Sequence, residues 1–184
     1  TELVRAICGA DKTLSGDIYI NNEKIHLRSP QEAIKNGIVM VPEDRKSLGL
    51  LLAQSNSQNI SISNFDVFLK NGWVWPNDVL SFAQKGIDLM GVKGVPEQNA
   101  NELSGGNQQK LLISKWISRN PKVLIFDEPT RGIDVGARHS IYQVMKQLSE
   151  KGISIIVVSS DLEEVVGLSH RMLILSRGVQ KNIL

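Results

Sequence analysis

The stretch from residue 102 to residue 134 constrains this chain more than any other part of it. It opens with ELSGGNQQK, in which a Ser-Gly-Gly turn at 104–106 leads into a segment of helical character at 107–118. Backbone N–H groups at a helix start, with no Cβ in the way, make a ready anion site. It closes with VLIFDEPTRGID, an apolar run ending in two adjacent carboxylates, Asp127 and Glu128, and then a proline. A phosphate-seeking turn and acids at a strand end together indicate nucleotide and Mg²⁺ chemistry.

Three motifs in this stretch resemble those of ABC-type ATPases. LSGGNQQ is similar to their signature motif, DEP after an apolar run is similar to their Walker B strand, and RGID at 131–134 lies where their D-loop would. The order and spacing carry the resemblance, because LSGG alone would be a weak match in any Ser/Gly-rich loop. The resemblance implies an α/β fold: a P-loop NTPase-like ABC ATPase core with a mostly parallel sheet, plus a small helical subdomain.

Length and composition are those of one soluble α/β domain. The 184 residues suffice to bury a core of useful size, and 41% apolar and 22% charged residues are ordinary values. The net charge of +2 and the absence of any Lys/Arg run argue against a nucleic-acid partner. The single cysteine, Cys8, cannot form an internal disulfide, which indicates a reducing compartment. No apolar stretch approaches the roughly 18 residues that span a bilayer, so a membrane role would be peripheral.

Strand-like runs alternate with helical segments along the chain, which predicts a largely parallel sheet covered on both sides. The expected helices are 2–7, 30–35, 61–69, 79–90, 107–118, 136–150 and 161–168. The expected strands are 17–20, 23–27, 38–41, the apolar run before Asp127, 153–158 and 171–176. The β-branched run 153–158 is typical of a strand buried on both faces. Ser160 and Glu163 have the spacing of a capping box for the last helix.

The middle of the chain is less informative. PEDRKSLGL at 42–50 has the composition of a charged surface loop; in the resemblance it occupies the Q-loop position, and PEDR with a downstream GL resembles carbohydrate-importer ATPases. Residues 51–101 would then be approximately the helical subdomain inserted into the domain at 1–184. Trp73 and Trp75 are predicted to pack locally rather than to hold a ligand. Contacts to transmembrane partners would come from 43–75.

The resemblance assigns roles to the carboxylate turn. Asp127 would hold Mg²⁺ through its coordinated water, and Glu128 would be the catalytic residue that polarises the water attacking the γ-phosphate. Thr1 matches the last residue of the phosphate-cradling GxxxxGK[ST] loop, which would make it a nucleotide and metal contact. From the residues alone, two acids at a strand end can also simply cap the next turn.

The resemblance also implies that the signature acts on a second domain. Ser104, Gly105 and Gly106 would bind the γ-phosphate of ATP held by a second ABC domain in a head-to-tail pair. Gln108 and its neighbour would form the polar rim of that contact, and Asp134 would lie at the interface and couple the two sites. Ser104 can alternatively serve only as an N-cap, and the two roles are compatible because a cap orients the same N–H groups.

Three departures from the family pattern matter. The GxxxxGK[ST] loop itself is not in this sequence. Glu43, an acceptor-only side chain, stands at the nucleotide-contacting Q-loop glutamine, and Ser160 stands where the switch histidine contacts the γ-phosphate. The histidines do not match that position and are expected at the surface; they are His26, His139 and His170. We therefore expect the 184 residues alone to bind ATP poorly and to hydrolyse it negligibly.

The pattern as a whole resembles the second half of the double-length ATP-binding subunits of bacterial sugar importers. TEL at the start, PEDR, LSGGNQQK, DEPTRGIDVGA and SSDLEEV carry it. It implies ATP and Mg²⁺ as cofactors and a second ABC domain, permease subunits and, indirectly, a periplasmic or surface sugar-binding protein as partners. It places the chain peripherally at the cytoplasmic face of the inner membrane. The alternatives are a non-catalytic half-site module and a chromosome or repair ATPase, which would need long coiled coils that this chain lacks.

Overall fold

A parallel sheet of strands β3 (Ile38–Val41), β4 (Val123–Asp127) and β5 (Ser154–Val158) organises the molecule. The computed structural model describes residues 1–13, 15–69 and 73–184. In the sheet β4 is central, with Val39 opposite Leu124 and Phe126 opposite Val157. Its Leu124 and Phe126 are buried in the larger hydrophobic core, and Ile125, which points to the opposite face of the sheet, is buried in the smaller one. The α/β class and the parallel pairing predicted from the sequence are confirmed.

Helices and short hairpins surround this sheet. The helices are α1 (Glu2–Ile7), α2 (Pro30–Lys35), α3 (Asn56–Ile62), α4 (Phe65–Phe68), α5 (Pro76–Met90), α6 (Gly105–Ile117), α7 (Val135–Glu150) and α8 (Leu162–Leu168). Two antiparallel hairpins are formed by β1 (Ile18–Ile20) with β2 (Glu23–Ile25) and by β6 (Leu173–Ser176) with β7 (Val179–Ile183). A π-helical turn spans Arg45–Gly49 and a 3₁₀ turn spans Ala100–Glu102. In the part of the chain described, no helix is long and apolar enough to cross a bilayer.

Helix α6 is the centre of the larger hydrophobic core. Its Leu111, Leu112 and Ile113 are fully buried, because α3 and α5 pack on one side of the helix and β3 and α7 on others. The helix begins two residues before the predicted start, since Gly105 and Gly106 already have helical geometry. The Ser-Gly-Gly turn is therefore the first turn of the most enclosed helix in the core.

The region between β3 and α6 differs in detail from the prediction. The helix expected at 61–69 is two short helices, α3 and α4, because Ser55 and Gln58 form a capping box that starts α3 early. Helix α5 starts at Pro76, the favoured first position for proline. Trp73 and Trp75 are 73% and 63% exposed, so the prediction that they pack locally is wrong. The bounds 51–101 for a helical subdomain remain a prediction, and residues 70–72 of that range lie outside the described residues.

Strand β5 is not buried on both faces, contrary to the prediction from its β-branched run. Its burial alternates, and Ile156 is 38% exposed. In the described structure β5 pairs with β4 and lies at the end of the three-stranded order. A run of apolar residues identifies such a strand without revealing what covers its second side.

The end of the chain also corrects two details. Asp161, rather than Ser160, caps α8: its Oδ1 accepts hydrogen bonds from the N–H groups of Glu163 and Glu164. The strand predicted at 171–176 is followed by a second strand, β7, which the sequence reading missed. Its pattern, VQKNI, is mostly polar, and all five of its residues are exposed.

Gly9 marks a close approach between the end of α1 and the start of α2. Its φ is +67°, and a Cβ added there would lie 2.8 Å from the backbone nitrogen of Ser29, the residue that caps α2. Cys8 beside it belongs to the smaller core under α1, and burial raises the pKa of its thiol to about 11. The backbone after α1 and the backbone before α2 thus approach each other so closely that only a glycine fits at position 9.

Candidate functional site

The structure brings Thr1 and Asp127 into direct contact. The Thr1 Oγ1 donates a hydrogen bond to the Asp127 Oδ1 over 3.0 Å, although 126 positions separate the residues. Thr1 caps α1 without a side-chain hydrogen bond to it, which leaves the hydroxyl turned to the carboxylate. Asp127 ends β4 and is only 1% exposed. A hydroxyl and a carboxylate are hard oxygen ligands of the kind that Mg²⁺ takes together with phosphate oxygens and water, so these two residues fit that ion.

Glu128 turns away from the strand and is held by Ser160. Its φ is +46°, and its N–H donates to the Val158 oxygen over 2.8 Å. The chain therefore turns directly after Asp127, which sends the two carboxylates to different partners. The Ser160 N–H donates to one carboxylate oxygen of Glu128 over 2.8 Å, and the Ser160 hydroxyl donates to the other over 3.2 Å. Ser160, at the predicted switch position, thus donates a hydrogen bond to each carboxylate oxygen of Glu128, the predicted base.

The predicted signature lies at the start of α6, where Ser104 is exposed, Gly105 is half-buried and Gly106 is buried. Ser104 precedes the helix with extended backbone geometry and makes no side-chain capping bond; its Oγ instead accepts from the Asn107 amide over 2.9 Å. Ser104 is thus the N-cap residue of α6, as the alternative predicted, but without a capping hydrogen bond from its side chain. Gly106 has a packing role that the sequence did not reveal: a Cβ there would lie 2.6 Å from the Ala137 Cβ. This glycine lets α6 and α7 approach each other.

Gln108 is not the polar rim that the sequence predicted. It is 6% exposed, its Nε2 donates to the Ala100 oxygen over 3.0 Å, and its Oε1 accepts from the Arg45 Nε over 3.4 Å. Gln109 is buried as well. Because α6 starts at Gly105 and is covered on several sides, residues one turn into it already face the interior. The structure therefore gives Gln108 an internal bridging position.

Glu43 and Asp134 lie on the segments that flank the carboxylate turn. The Glu43 carboxylate forms an ion pair with the guanidinium of Arg131, and the backbone N–H of Arg131 donates to the backbone carbonyl oxygen of Glu128 over 3.2 Å. Asp134 is exposed and caps α7, with its Oδ1 accepting from the Ala137 N–H over 2.9 Å. The RGID turn (residues 131–134) is thus tied to Glu43 at one end and to the start of α7 at the other. The three histidines are exposed, as predicted.

Sequence reasoning missed a buried polar cluster behind the carboxylate turn. The Thr130 hydroxyl donates to the Glu164 Oε1 over 2.9 Å, and the two residues are 4% and 5% exposed. Burial and the Glu164 charge raise the pKa of the nearby Tyr142 phenol. Glu164 follows another glutamate at the start of a helix, a pattern that normally indicates a solvated face. Nothing in the sequence marked it as buried.

The sequence of this chain matches a known protein family. The family model described as ABC transporter matches residues 1–131. The chain belongs to the ABC transporter family. Three relatives bear the description "Ribose import ATP-binding protein RbsA". Those from Bacillus licheniformis and Bacillus subtilis are 45% and 44% identical over 179 residues, which are 97% of this chain and 36% of each relative. The one from Lactococcus lactis subsp. lactis is 43% identical over 185 residues, 100% of this chain and 38% of the relative. The chain spans little more than a third of the length of these curated relatives.

Solved structures of ABC proteins have the same fold. An ATP-binding cassette of an ABC transporter superposes with a TM-score of 0.81 at 24% identity, covering 98% of this chain and 74% of that one. A dimeric cassette in a post-hydrolysis state, bound to ADP and Pi, gives 0.78 at 22% identity, covering 100% and 78%. A Clostridium perfringens cassette, part of an ABC transporter complex, gives 0.79 at 23% identity, covering 99% and 70%. At these identities the superpositions establish the ABC ATPase fold.

Proposed function

We propose that this chain is the ATP-binding domain of a bacterial ABC importer for a sugar or sugar-like solute. The contact between the Thr1 hydroxyl and the Asp127 carboxylate carries the nucleotide part of the proposal, because it joins the two residues that the resemblance assigns to one metal–phosphate site. Relatives described as ribose import proteins, 43–45% identical over nearly the whole chain, support the solute class. ATP binding and hydrolysis would close and reopen a pair of ABC domains, and this motion would drive transport.

At the chain's own nucleotide site, Thr1 and Asp127 would hold Mg²⁺. Bound there, the ion would neutralise the charge of the nucleotide phosphates. Asp127 is fixed for this by its burial at the end of β4. Glu128 would orient the attacking water, but its carboxylate must first part from one or both donors on Ser160. Glu43 is an acid beside the carboxylate turn, where the resemblance would place an amide.

The signature would serve a different site. Ser104, Gly105 and Gly106 would direct backbone N–H groups to the γ-phosphate of ATP held by a second ABC domain, with Asp134 at the shared interface. The exposure of Ser104 and Asp134 supports this placement. Permease subunits would bind the 43–75 region at the cytoplasmic face of the membrane, and a sugar-binding protein would act on the other side of those subunits. The domain would then contribute mainly through the surface it offers to its partner.

An uptake assay tests the solute class. Cells that lack the full-length subunit should lose high-affinity accumulation of one labelled pentose or hexose, and the wild-type gene should restore it. An Asp127→Asn variant that is made in normal amounts serves as the comparison for the nucleotide site. Unchanged uptake of every sugar in a panel of pentoses and hexoses, together with loss of uptake of another solute, would assign the importer to that solute.

The second candidate, a half-site that supplies its signature but does not itself turn over ATP, is favoured by the bonds between Ser160 and Glu128. Under this reading Ser160→His should not raise ATP turnover of the full assembly, because Glu43 also departs from the family pattern and the Ser160 N–H still binds Glu128. Steady-state ATPase rates test this, with Ser160→Ala as the control that removes only the hydroxyl. A several-fold rise in kcat for the histidine variant alone would identify Ser160 as the one defect of the site. We expect little loss of stability, because Asp161 caps α8.

A further inference from the structure

We propose that Arg45 is a positioning residue that holds the RGID turn against the start of α6. The role rests on the proposed function, since both segments would face the partner domain's nucleotide there. The sequence placed Arg45 in a charged loop and gave it no role. In the structure its side chain is partly buried and reaches two other segments of the chain.

The guanidinium of Arg45 uses three nitrogens to bridge these segments. Its Nε donates to the Gln108 Oε1 over 3.4 Å, one Nη donates to the Arg131 oxygen over 3.3 Å, and the other donates to the Gly132 oxygen over 3.5 Å. Each bond is long, but the planar fork of arginine makes all three from one fixed group. A lysine ammonium on a flexible stem cannot span the same three acceptors.

Gly105 leaves room for this bridge. A Cβ at Gly105 would lie 2.8 Å from an Nη of Arg45, while the next neighbouring segment, at the Gly132 oxygen, is 3.8 Å away. The guanidinium therefore lies directly against the first turn of α6. The second glycine of the signature accommodates α7 and the first accommodates Arg45, so the two glycines serve two different neighbours.

The turn that carries Arg45 is itself fixed at both ends. Asp44 caps it, with Oδ1 accepting from the N–H groups of Lys46 and Ser47. At the other end the Gly49 oxygen accepts from the Nζ of Lys115 over 2.9 Å, and Lys115 is a buried residue of α6. Burial lowers the pKa of this ammonium, and the bond to Gly49 is its contact with the turn. Arg45 thus projects from a turn anchored on α6.

This arrangement joins the surfaces that the proposed function needs to act together. The start of α6 and the RGID turn belong to segments about 25 residues apart, and Arg45 contacts both. Loss of the bridge should leave ATP affinity intact but let the two segments move independently, and misplacement of a positioning group by about 1 Å can lower a rate a hundredfold. The expected signature is a fall in kcat without a matching change in KM.

The test compares Arg45→Lys and Arg45→Gln in the full-length subunit within its transporter assembly. Both variants should lower kcat about tenfold, with the KM for ATP within about twofold of wild type. Lys85→Gln is the control, because it removes one positive charge from an exposed residue of α5, outside the 43–75 region proposed to bind the permease subunits. Wild-type activity in Arg45→Lys, or a rise in KM with kcat unchanged, would overturn the positioning role.

Hydrogen–deuterium exchange separates this proposal from the proposed function. The Ile133 N–H donates to the Thr130 oxygen over 3.1 Å, so its exchange reports the order of the RGID turn. Exchange at this turn should accelerate about tenfold in both Arg45 variants and not in Lys85→Gln. Unchanged exchange overturns the role of Arg45 whatever the ATPase shows. A wild-type assembly without ATPase activity would contradict the proposed function, while the exchange experiment would still decide for or against the bridge.

Discussion

Gly106→Asp in the full-length subunit, assembled with its transmembrane partners, should lower steady-state ATP turnover about a hundredfold. The new carboxylate would stand where backbone N–H groups are proposed to meet the γ-phosphate of the partner domain. Loss of such oriented donors costs on the order of 3 kcal/mol in transition-state stabilisation, and charge repulsion acts in the same direction. Nucleotide affinity of the assembly, measured beside the rate, would exclude a general folding defect.

The structure calls for a control that separates charge from volume. Any Cβ at Gly106 would lie 2.6 Å from the Ala137 Cβ and push α6 away from α7. Ala137→Gly removes that Cβ, at a cost of about 1 kcal/mol in helix stability. In this background Gly106→Ala should restore most of the turnover, whereas Gly106→Asp should remain about a hundredfold lower than wild type. Equal rates for these two double variants would show that packing alone explains the effect.

Glu128→Gln completes the comparison of the two sites. It removes the predicted base from the site that we propose to be the weaker one, so the ATPase rate should fall only a few-fold. If Glu128→Gln abolishes turnover while Gly106→Asp leaves it near wild type, the proposed division between the chain's own site and its partner's site is reversed.

Gly9→Ala should destabilise the domain by on the order of 3 kcal/mol, because it combines steric overlap with backbone strain. The added Cβ would lie within 2.9 Å of three backbone atoms of Ser29, which cannot rotate away as a side chain can. The φ of +67° adds roughly 1–2 kcal/mol for any residue with a Cβ. Urea unfolding followed by tryptophan fluorescence would measure the loss.

Gly152→Ala is the matched control for this prediction. Gly152 also has a positive φ, +86°, but nothing lies within 4 Å of its added Cβ. Only the backbone strain of roughly 1–2 kcal/mol should then appear. Equal losses of unfolding free energy in the two variants would mean that α1 and α2 adjust readily and that the approach at Ser29 is unimportant.

The sequence predicted well those elements whose position depends on short-range signals. Pro30 after a serine located α2, and the apolar run before Asp127 located the central strand. The prediction for Gln108 was wrong because it used only the polarity of the side chain, which suggested the rim of a domain interface. Its true surroundings depend on contacts with Ala100 and Arg45, which lie elsewhere in the sequence. Periodicity identifies a face of an element but not the neighbour that covers it. The exposure of β5 escaped prediction for the same reason.

The candidate site shows the same limit. The sequence predicts that Asp127 and Thr1 bind one metal ion, and the structure places the two side chains in contact. This prediction was possible because each residue belongs to a short motif that can be recognised in the sequence alone. Ser160 was recognised as the residue at the switch position, yet its role as a donor to both oxygens of Glu128 depends on the turn after β4. A left-handed φ at a glutamate is uncommon and has no sequence signal of its own.

The contact between Thr130 and Glu164 restricts how this family member can diverge. Glu164 is buried, and the Thr130 hydroxyl is a hydrogen-bond donor to its carboxylate. A lineage that exchanged the threonine for valine would leave that oxygen short of a partner, at a cost of roughly 1–3 kcal/mol. A substitution at position 130 or 164 therefore favours a compensating substitution at the other position. Tyr142 interacts with both residues and is the third member of this cluster. These three positions should therefore covary among related sequences, although none of them contacts the nucleotide in the proposed function. Covariation would preserve the hydrogen bond that joins the start of α8 to the segment after the carboxylate turn.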